Sequence, residues 1–347
     1  MKKLFIICLF ISSNLILCET ERVNLEFKDV NRHYLIYKPS TNINAPKKIV
    51  IGLHGYTGSA SGFEIETTGG FNSMAEKYNF VAVYPQGSYF FEKNYFRGAI
   101  TSNYVSSWND LTGSKTKTPI GETCAIDAVI YPKFDDCQGS DAGRCAWTSC
   151  GDDLGFIKKI INDVKDRFKV EDIYIVGMSN GGKMAHALAC EYPDLIKGVI
   201  NVVGSPQYGL ACKPKEPINY IIYAGFKDDV VPPFDVVSFD KYFYTPITDI
   251  MKEWTSIFNC SNEKSSTYND FDLIQEKVFS DCDGGVKVTS LLNMNRGHSW
   301  PGSEDNAGFC RSNKQNDIDI EECSTKINSW GNDFLLERLF NLSLIHI

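Results

Sequence analysis

Hydrophobic positions in this chain fall into short runs separated by longer amphipathic stretches. Apolar runs at residues 48–53, 80–84, 173–176, 198–203, 218–223 and 286–291 predict buried strands, because short β-branched runs bounded by turn formers suit a strand covered on both faces. Ahead of them, residues 22–39 alternate through Val23, Leu25 and Phe27 and then Tyr34, Leu35, Ile36 and Tyr37, which predicts edge strands. Leu154, Ile157, Ile161, Val164 and Phe168 recur on one helical face, and Asp152 and Asp153 are well placed at its start. Strands alternating with helices predict a mostly parallel sheet with helices on both faces. Residues 91–150 break this rhythm. They are rich in Gly, Ser, Thr and Asp and carry four cysteines between 124 and 150, so they read as a long loop or lid insertion held by disulfides. Phe334, Leu335, Leu339 and Phe340 predict a last amphipathic helix over 330–347 packing on the sheet.

Composition places this pattern in one large domain. The 347 residues are 43% hydrophobic and 22% charged, enough for a single core, with no repeat or low-complexity linker. Residues 1–18 read as a secretory signal peptide and 19–347 as one domain. Lys2 and Lys3 precede a short apolar run that is interrupted at Ser12-Ser13-Asn14. An uncleaved anchor fits less well, because the apolar core is short for a bilayer. A lipid-modified Cys18 fits less well too, because Leu17 stands where a small residue is wanted.

Loss of Lys2 and Lys3 takes the formal charge from −8 to about −10. An acidic chain with no basic run argues against nucleic acid as partner. No membrane association is expected after signal cleavage, and the expected state is a monomer. Ten cysteines remain behind the signal, an even count that predicts a disulfide framework. Cys190 with Cys212 and Cys260 with Cys282 are plausible short-range pairs. No Cys-x-x-Cys or His-x-x-x-His occurs, so no metal site is expected. Asn259 and Asn341 begin sequons for glycosylation.

The densest chemical signal is Gly177-Met178-Ser179-Asn180-Gly181, where the strand at 173–176 meets a helix beginning near Lys183. Gly-x-Ser-x-Gly in that setting is a nucleophile elbow, a sharp turn that exposes the serine hydroxyl. Ser179 needs a base and an acid that orients it, in chain order Ser, Asp or Glu, His. Of His33, His54, His186, His298 and His346, only His298 sits in a turn-rich loop directly after a late strand. His186 lies on the helix behind Ser179, facing away. His54 ends an early strand and is expected to make structural hydrogen bonds. The acid belongs after strand 218–223, where Asp228 is chosen and Asp229 is the fallback. The oxyanion hole needs two backbone N–H donors. Asn180 is expected to supply one, and the loop His54-Gly55-Tyr56-Thr57-Gly58, through Tyr56 and Thr57, the other. Trp108 and Trp300, with Tyr56, lie on nearby loops and are candidate stacking surfaces for an aromatic acyl group or a sugar.

Together, Leu53-His54-Gly55-Tyr56-Thr57-Gly58, Tyr84-Pro85-Gln86-Gly87, Asp152-Asp153-Leu154-Gly155-Phe156, Gly177-Met178-Ser179-Asn180-Gly181-Gly182, Asp228-Asp229-Val230-Val231-Pro232 and Gly297-His298-Ser299-Trp300-Pro301-Gly302 resemble the secreted polyhydroxybutyrate depolymerase and feruloyl esterase family of α/β hydrolases. The resemblance implies an α/β-hydrolase fold, no cofactor, and cleavage of carboxylic esters through an acyl-enzyme on Ser179. Feruloyl or acetyl esters of plant polysaccharide are the leading substrate expectation, and a polyester is the alternative. The chain departs from its relatives at Ala224-Gly225, where a histidine-glycine pair often opens the acid loop. From another class, a secreted binding protein that kept the fold and lost the chemistry is a further reading.

Overall fold

The computed structural model describes residues 20–40, 46–66, 71–96, 99–137, 143–303 and 330–340, with the backbone alone at 65–66, 91–96 and 99–103. The expected signal peptide, the Asn341 sequon, His346, Cys310 and Cys323 lie outside the described residues.

The strands are β1 (Glu21–Phe27), β2 (Val30–Tyr37), β3 (Lys48–Leu53), β4 (Phe80–Pro85), β5 (Ser88–Phe96), β6 (Ala99–Ser107), β7 (Lys117–Thr118), β8 (Gly121–Glu122), β9 (Asp172–Met178), β10 (Gly198–Val202), β11 (Asn219–Gly225), β12 (Asn262–Tyr268), β13 (Ile274–Ser280) and β14 (Val288–Asn293). Among the described residues the main sheet runs β1-β2-β4-β3-β9-β10-β11-β14-β13-β12. Its centre, β4-β3-β9-β10-β11-β14, is parallel throughout. Those six strands are the six apolar runs of the sequence, the last displaced by two residues. Antiparallel pairs close both sides, β1 and β2 against β4, and β13 and β12 against β14. The β12–β13 hairpin was not legible, because Asn262–Tyr268 is polar and largely exposed and carries no apolar stripe.

Helices α1 (Ala60–Glu66), α2 (Asn72–Tyr78) and α6 (Trp330–Leu339) supply one face, and α3 (Asp153–Phe168), α4 (Asn180–Glu191) and α5 (Ile247–Ile257) the other. Strand side chains alternate strictly between the two layers. Ile49, Ile51 and Leu53 join the core under α3 to α5, while Val50 joins that under α1, α2 and α6. Tyr220 and Ile222 likewise part from Ile221 and Tyr223. Asp152 caps α3 by accepting the Gly155 N–H at 2.9 Å. Asp153 does something else. It is buried and accepts from Arg32 at 2.6 Å, the Asn109 N–H at 2.7 Å and Ser149 at 2.9 Å, tying β2 and the insertion to the helix start.

The region read as one long loop from residue 91 contains structure. Its first part is the antiparallel hairpin β5–β6, and β7–β8 forms a second, minimal one. Polar residues interleaved along β5 and β6 obscured that hairpin in the sequence. Beyond β6 the chain is irregular and closed by disulfides Cys124–Cys145 and Cys137–Cys150. Cys190–Cys212 and Cys260–Cys282 are also bonded. The insertion docks on a later segment through Ala125 N–H to Lys241 O at 2.9 Å and Phe243 N–H to Thr123 O at 3.0 Å. No helix among the described residues is long and apolar enough to cross a membrane.

Candidate active site

Ser179 sits at the carboxyl end of β9 as the residue before α4, with φ 55° and ψ −116°. That region is close to forbidden for a residue with a side chain and costs about 1–3 kcal/mol. Neighbours over-determine it. The Ser179 N–H donates to Val202 O at 2.8 Å, and Ser179 O accepts the Lys183 N–H at 3.0 Å. The flanking glycines are required by contact, since a Cβ on Gly177 would lie 2.0 Å from Gly181 O and one on Gly181 would lie 2.2 Å from Leu53 O. Strand, turn and helix thus approach at backbone distance, and the half-buried serine is lifted above the sheet edge.

Asp228 and His298 follow β11 and β14, successive neighbours of β10 along the same sheet edge. His298 Nδ1 lies 2.8 Å from Asp228 Oδ2. The other carboxylate oxygen accepts the Val230 and Val231 N–H groups at 2.9 and 2.8 Å, so the aspartate is held at both ends. Asp229 is exposed and instead accepts the Phe239 N–H on its backbone carbonyl. The two loops touch through backbone: Lys227 N–H donates to Arg296 O at 2.9 Å, and a Cβ on Gly225 would lie 2.1 Å from Gly297 O. With Nδ1 engaged by the carboxylate, Nε2 is the imidazole atom left to take a proton.

Asn180 holds the first position of α4, where the backbone N–H has no helical carbonyl to bind. Its buried side chain is pinned on three sides: Oδ1 accepts the Trp108 N–H at 2.7 Å, and Nδ2 donates to Trp108 O at 3.0 Å and Asp110 Oδ2 at 2.8 Å. Asp110 itself accepts from Thr112 and the Gly113 N–H. Sequence reasoning missed Asp110, which stands alone among polar loop residues.

The loop after β3 approaches Ser179 closely, a Cβ on Gly55 falling 3.4 Å from Ser179 Cβ. Its donors differ from the expectation in one respect. The Thr57 N–H donates to Ser106 O at 2.9 Å, so Thr57 is committed to holding the loop on β6 and is not placed to meet an oxyanion. His54 is fully buried, its Nδ1 2.8 Å from Gly55 O and its Nε2 accepting the Gly87 N–H at 3.0 Å. Burial holds it neutral, its pKa lowered to about 4.

Both tryptophans expected to stack on substrate are core residues. Trp108 is 0% exposed, donates its indole N–H to His54 O at 2.9 Å and packs on the His54 ring. Trp300 is 3% exposed, donates to Asn332 Oδ1 at 2.8 Å and packs edge-on against Phe63. An indole N–H satisfied inside the core is the usual state of a buried tryptophan, and neither ring offers a face at the surface. Tyr56 meets Trp147 and Tyr131 edge-on, with centroids 5.3 and 5.7 Å apart. The cluster His186, Cys190 and Cys212 has metal-ligand proximity, but its two sulfurs are joined in a disulfide.

A strained serine at a strand-to-helix elbow, followed along one parallel sheet edge by an aspartate and a histidine bonded to each other, decides the architecture. The protein has the α/β-hydrolase fold. A family model described as alpha/beta hydrolase fold matches residues 136–238. "Putative esterase NocK" of Nocardia uniformis subsp. tsuyamanensis is 23% identical over 168 residues, 43% of this chain and 49% of that protein. The match therefore spans about half the length of that curated relative. Acetyl xylan esterase from Aspergillus awamori superposes with a TM-score of 0.51 at 14% identity, covering 81% of this chain and 95% of that one. An S-formylglutathione hydrolase from Agrobacterium tumefaciens has a TM-score of 0.46 at 12% identity, covering 81% and 88%. Within this hydrolase fold, Cys124, Cys145 and Trp147 of the insertion share one apolar cluster with Val231, Tyr242 and Tyr244 of the segment 228–246, and Trp147 and Tyr244 lie against Lys183 of α4.

Proposed function

We propose that this protein is a secreted serine carboxylic-ester hydrolase that works through an acyl-enzyme on Ser179, with His298 as base, Asp228 as orienting acid, and the Tyr56 and Asn180 N–H groups as oxyanion donors. The observation that carries the reading is the 2.8 Å contact of His298 Nδ1 with Asp228 Oδ2 on the same sheet edge as the strained Ser179 elbow. In the first step His298 Nε2 takes the hydroxyl proton as Ser179 Oγ adds to the ester carbonyl, and the carbonyl oxygen becomes the oxyanion. The tetrahedral species collapses with transfer of that proton from His298 to the departing alcohol. Water, activated by the same imidazole, then releases the acid and restores Ser179. Each oxyanion donor is worth about 3 kcal/mol of transition-state stabilisation.

Feruloyl or acetyl esters of plant polysaccharide are the substrate class in this reading, supported by the motif resemblance and by the acetyl xylan esterase named among the similar folds. Four bonded cysteine pairs support an oxidising, extracellular location. Purified protein treated with a fluorophosphonate is expected to carry one covalent adduct, located on Ser179 by peptide mass spectrometry. A panel of p-nitrophenyl acyl esters, feruloylated and acetylated arabinoxylan, and polyhydroxybutyrate then ranks the substrates. No adduct and no hydrolysis would leave the protein a binding module on a hydrolase scaffold.

A further inference from the structure

Lys183 lies one helical turn behind Ser179, and its amine is sealed inside the protein. Lysine is almost never fully buried without a carboxylate partner. Here Nζ has no hydrogen-bond partner among the described residues. What it has is aromatic faces, with the Trp147 ring centroid at 4.6 Å and that of Tyr244 at 4.1 Å. Side chains on a helix lean toward its N-terminus, so the amine is directed to the Ser179 end of α4.

The two rings come from the parts of the chain that flank the triad. Trp147 follows Cys145 of the Cys124–Cys145 disulfide and meets Tyr56 of the oxyanion loop edge-on. Its indole N–H is buried without a partner among the described residues, so no side-chain hydrogen bond fixes that ring. Tyr244 shares a cluster with Val231, whose N–H holds Asp228. The amine is thus the point where the insertion, the acid-side segment and the nucleophile helix meet.

We propose that Lys183 is a positioning residue of this hydrolase: its ammonium, gripped by Trp147 and Tyr244, clamps the disulfide-closed insertion and the acid-side segment onto α4 and thereby sets Tyr56 and Asp228 relative to Ser179. The inference rests on the serine-esterase reading above. Cation attraction to a ring face is strongest where water is excluded, and it vanishes when the amine loses its proton. Burial drives that loss down to a pKa of about 8, opposed by the charges of Asp110, Asp240 and Asp228. Tyr244 faces the same space and stays neutral there, its pKa raised well above 10 by burial.

The clamp acts against stability at neutral pH. In the unfolded chain the amine titrates near 10.5 and in the folded protein near 8, so between those values the unfolded state holds more protons. Stability therefore rises with pH across that window, and below it the buried charge is a standing cost. A residue kept purely for packing would not carry that cost, because methionine fills the same space without it.

The test compares wild type, Lys183→Met and Lys183→Arg by kcat and KM on a p-nitrophenyl ester from pH 6 to 10, with melting temperature over the same range. Lys183→Met is expected to lose at least tenfold in kcat/KM at pH 7 while melting no lower than wild type. The wild-type kcat/KM is expected to decline above about pH 8 as the amine deprotonates, and that decline should be missing from Lys183→Met. Lys183→Arg, which stays charged, should recover part of the activity and hold it to higher pH. Wild-type kcat/KM in Lys183→Met overturns the inference, as does a loss of activity that merely follows a lower melting temperature. A wild-type protein that hydrolyses no ester overturns the underlying reading with it.

Discussion

His298 Nδ1 lies 2.8 Å from Asp228 Oδ2, and the aspartate side chain is only 1% exposed. An imidazole so held presents one tautomer, with Nε2 as its basic atom. Asp228→Asn offers an N–H in place of an acceptor and turns the ring to the wrong tautomer. We expect kcat to fall by about 10⁴-fold with the fold retained. Asp229→Asn, at an exposed site, should stay within twofold. Steady-state kinetics on one chromogenic ester read both, and the opposite ranking would move the acid to Asp229.

Ser179→Ala should lose several powers of ten in turnover while leaving melting nearly unchanged, because a half-exposed hydroxyl is removed and no cavity opens. Ser179→Gly should be equally inactive yet melt higher than the alanine variant. Only glycine adopts φ 55°, ψ −116° without strain. A glycine variant that melts lower would show that the elbow is not strained in solution.

Trp108 distinguishes a structural from a substrate-facing ring. Trp108→Ala should destabilise by about 3–5 kcal/mol in urea unfolding, as expected for a large side chain lost from a core. It should also lower kcat by releasing the backbone groups that hold Asn180. A variant of unchanged stability with raised KM alone would return Trp108 to the substrate surface.

Acid should weaken the fold. Burial lowers the pKa of His33 and His54 to about 4 and that of His186 to about 3, against 6.5 for a free imidazole. The unfolded chain therefore binds more protons below pH 6.5, and stability is progressively lost as pH falls from there toward 4. Melting temperature measured across that range should fall steadily. A flat profile would mean that these rings are hydrated.

Opening the insertion should uncouple binding from folding. Paired Cys124→Ser and Cys145→Ser removes a cross-link between residues 21 apart, worth about 3 kcal/mol if the native state is unstrained. KM should rise and kcat should fall as Trp147 and Tyr56, an oxyanion donor in the proposed function, loosen. The corresponding pair at Cys190 and Cys212, under the far end of α4, should lower melting without moving KM.

The six central strands were legible because burial on both faces forces continuous apolar runs, and those runs occur at β3, β4, β9, β10, β11 and β14 with little shift. The elbow was legible for a related reason: contacts at backbone distance admit only glycine at 177 and 181, and that requirement is written into the chain. Polar edge hairpins such as β12–β13 left no such mark, since half-exposed strands tolerate almost any side chain. Sequence left two adjacent aspartates as candidates for the acid, and only the path of the chain after β11 put Asp228 inward and Asp229 outward. Trp108, Trp300, Thr57 and Lys183 show the same division. A residue's type states what it can bind, but whether its polar atom meets solvent, another backbone group or an aromatic face is set by which distant segments fold over it. That is a property of tertiary packing, and no local pattern encodes it.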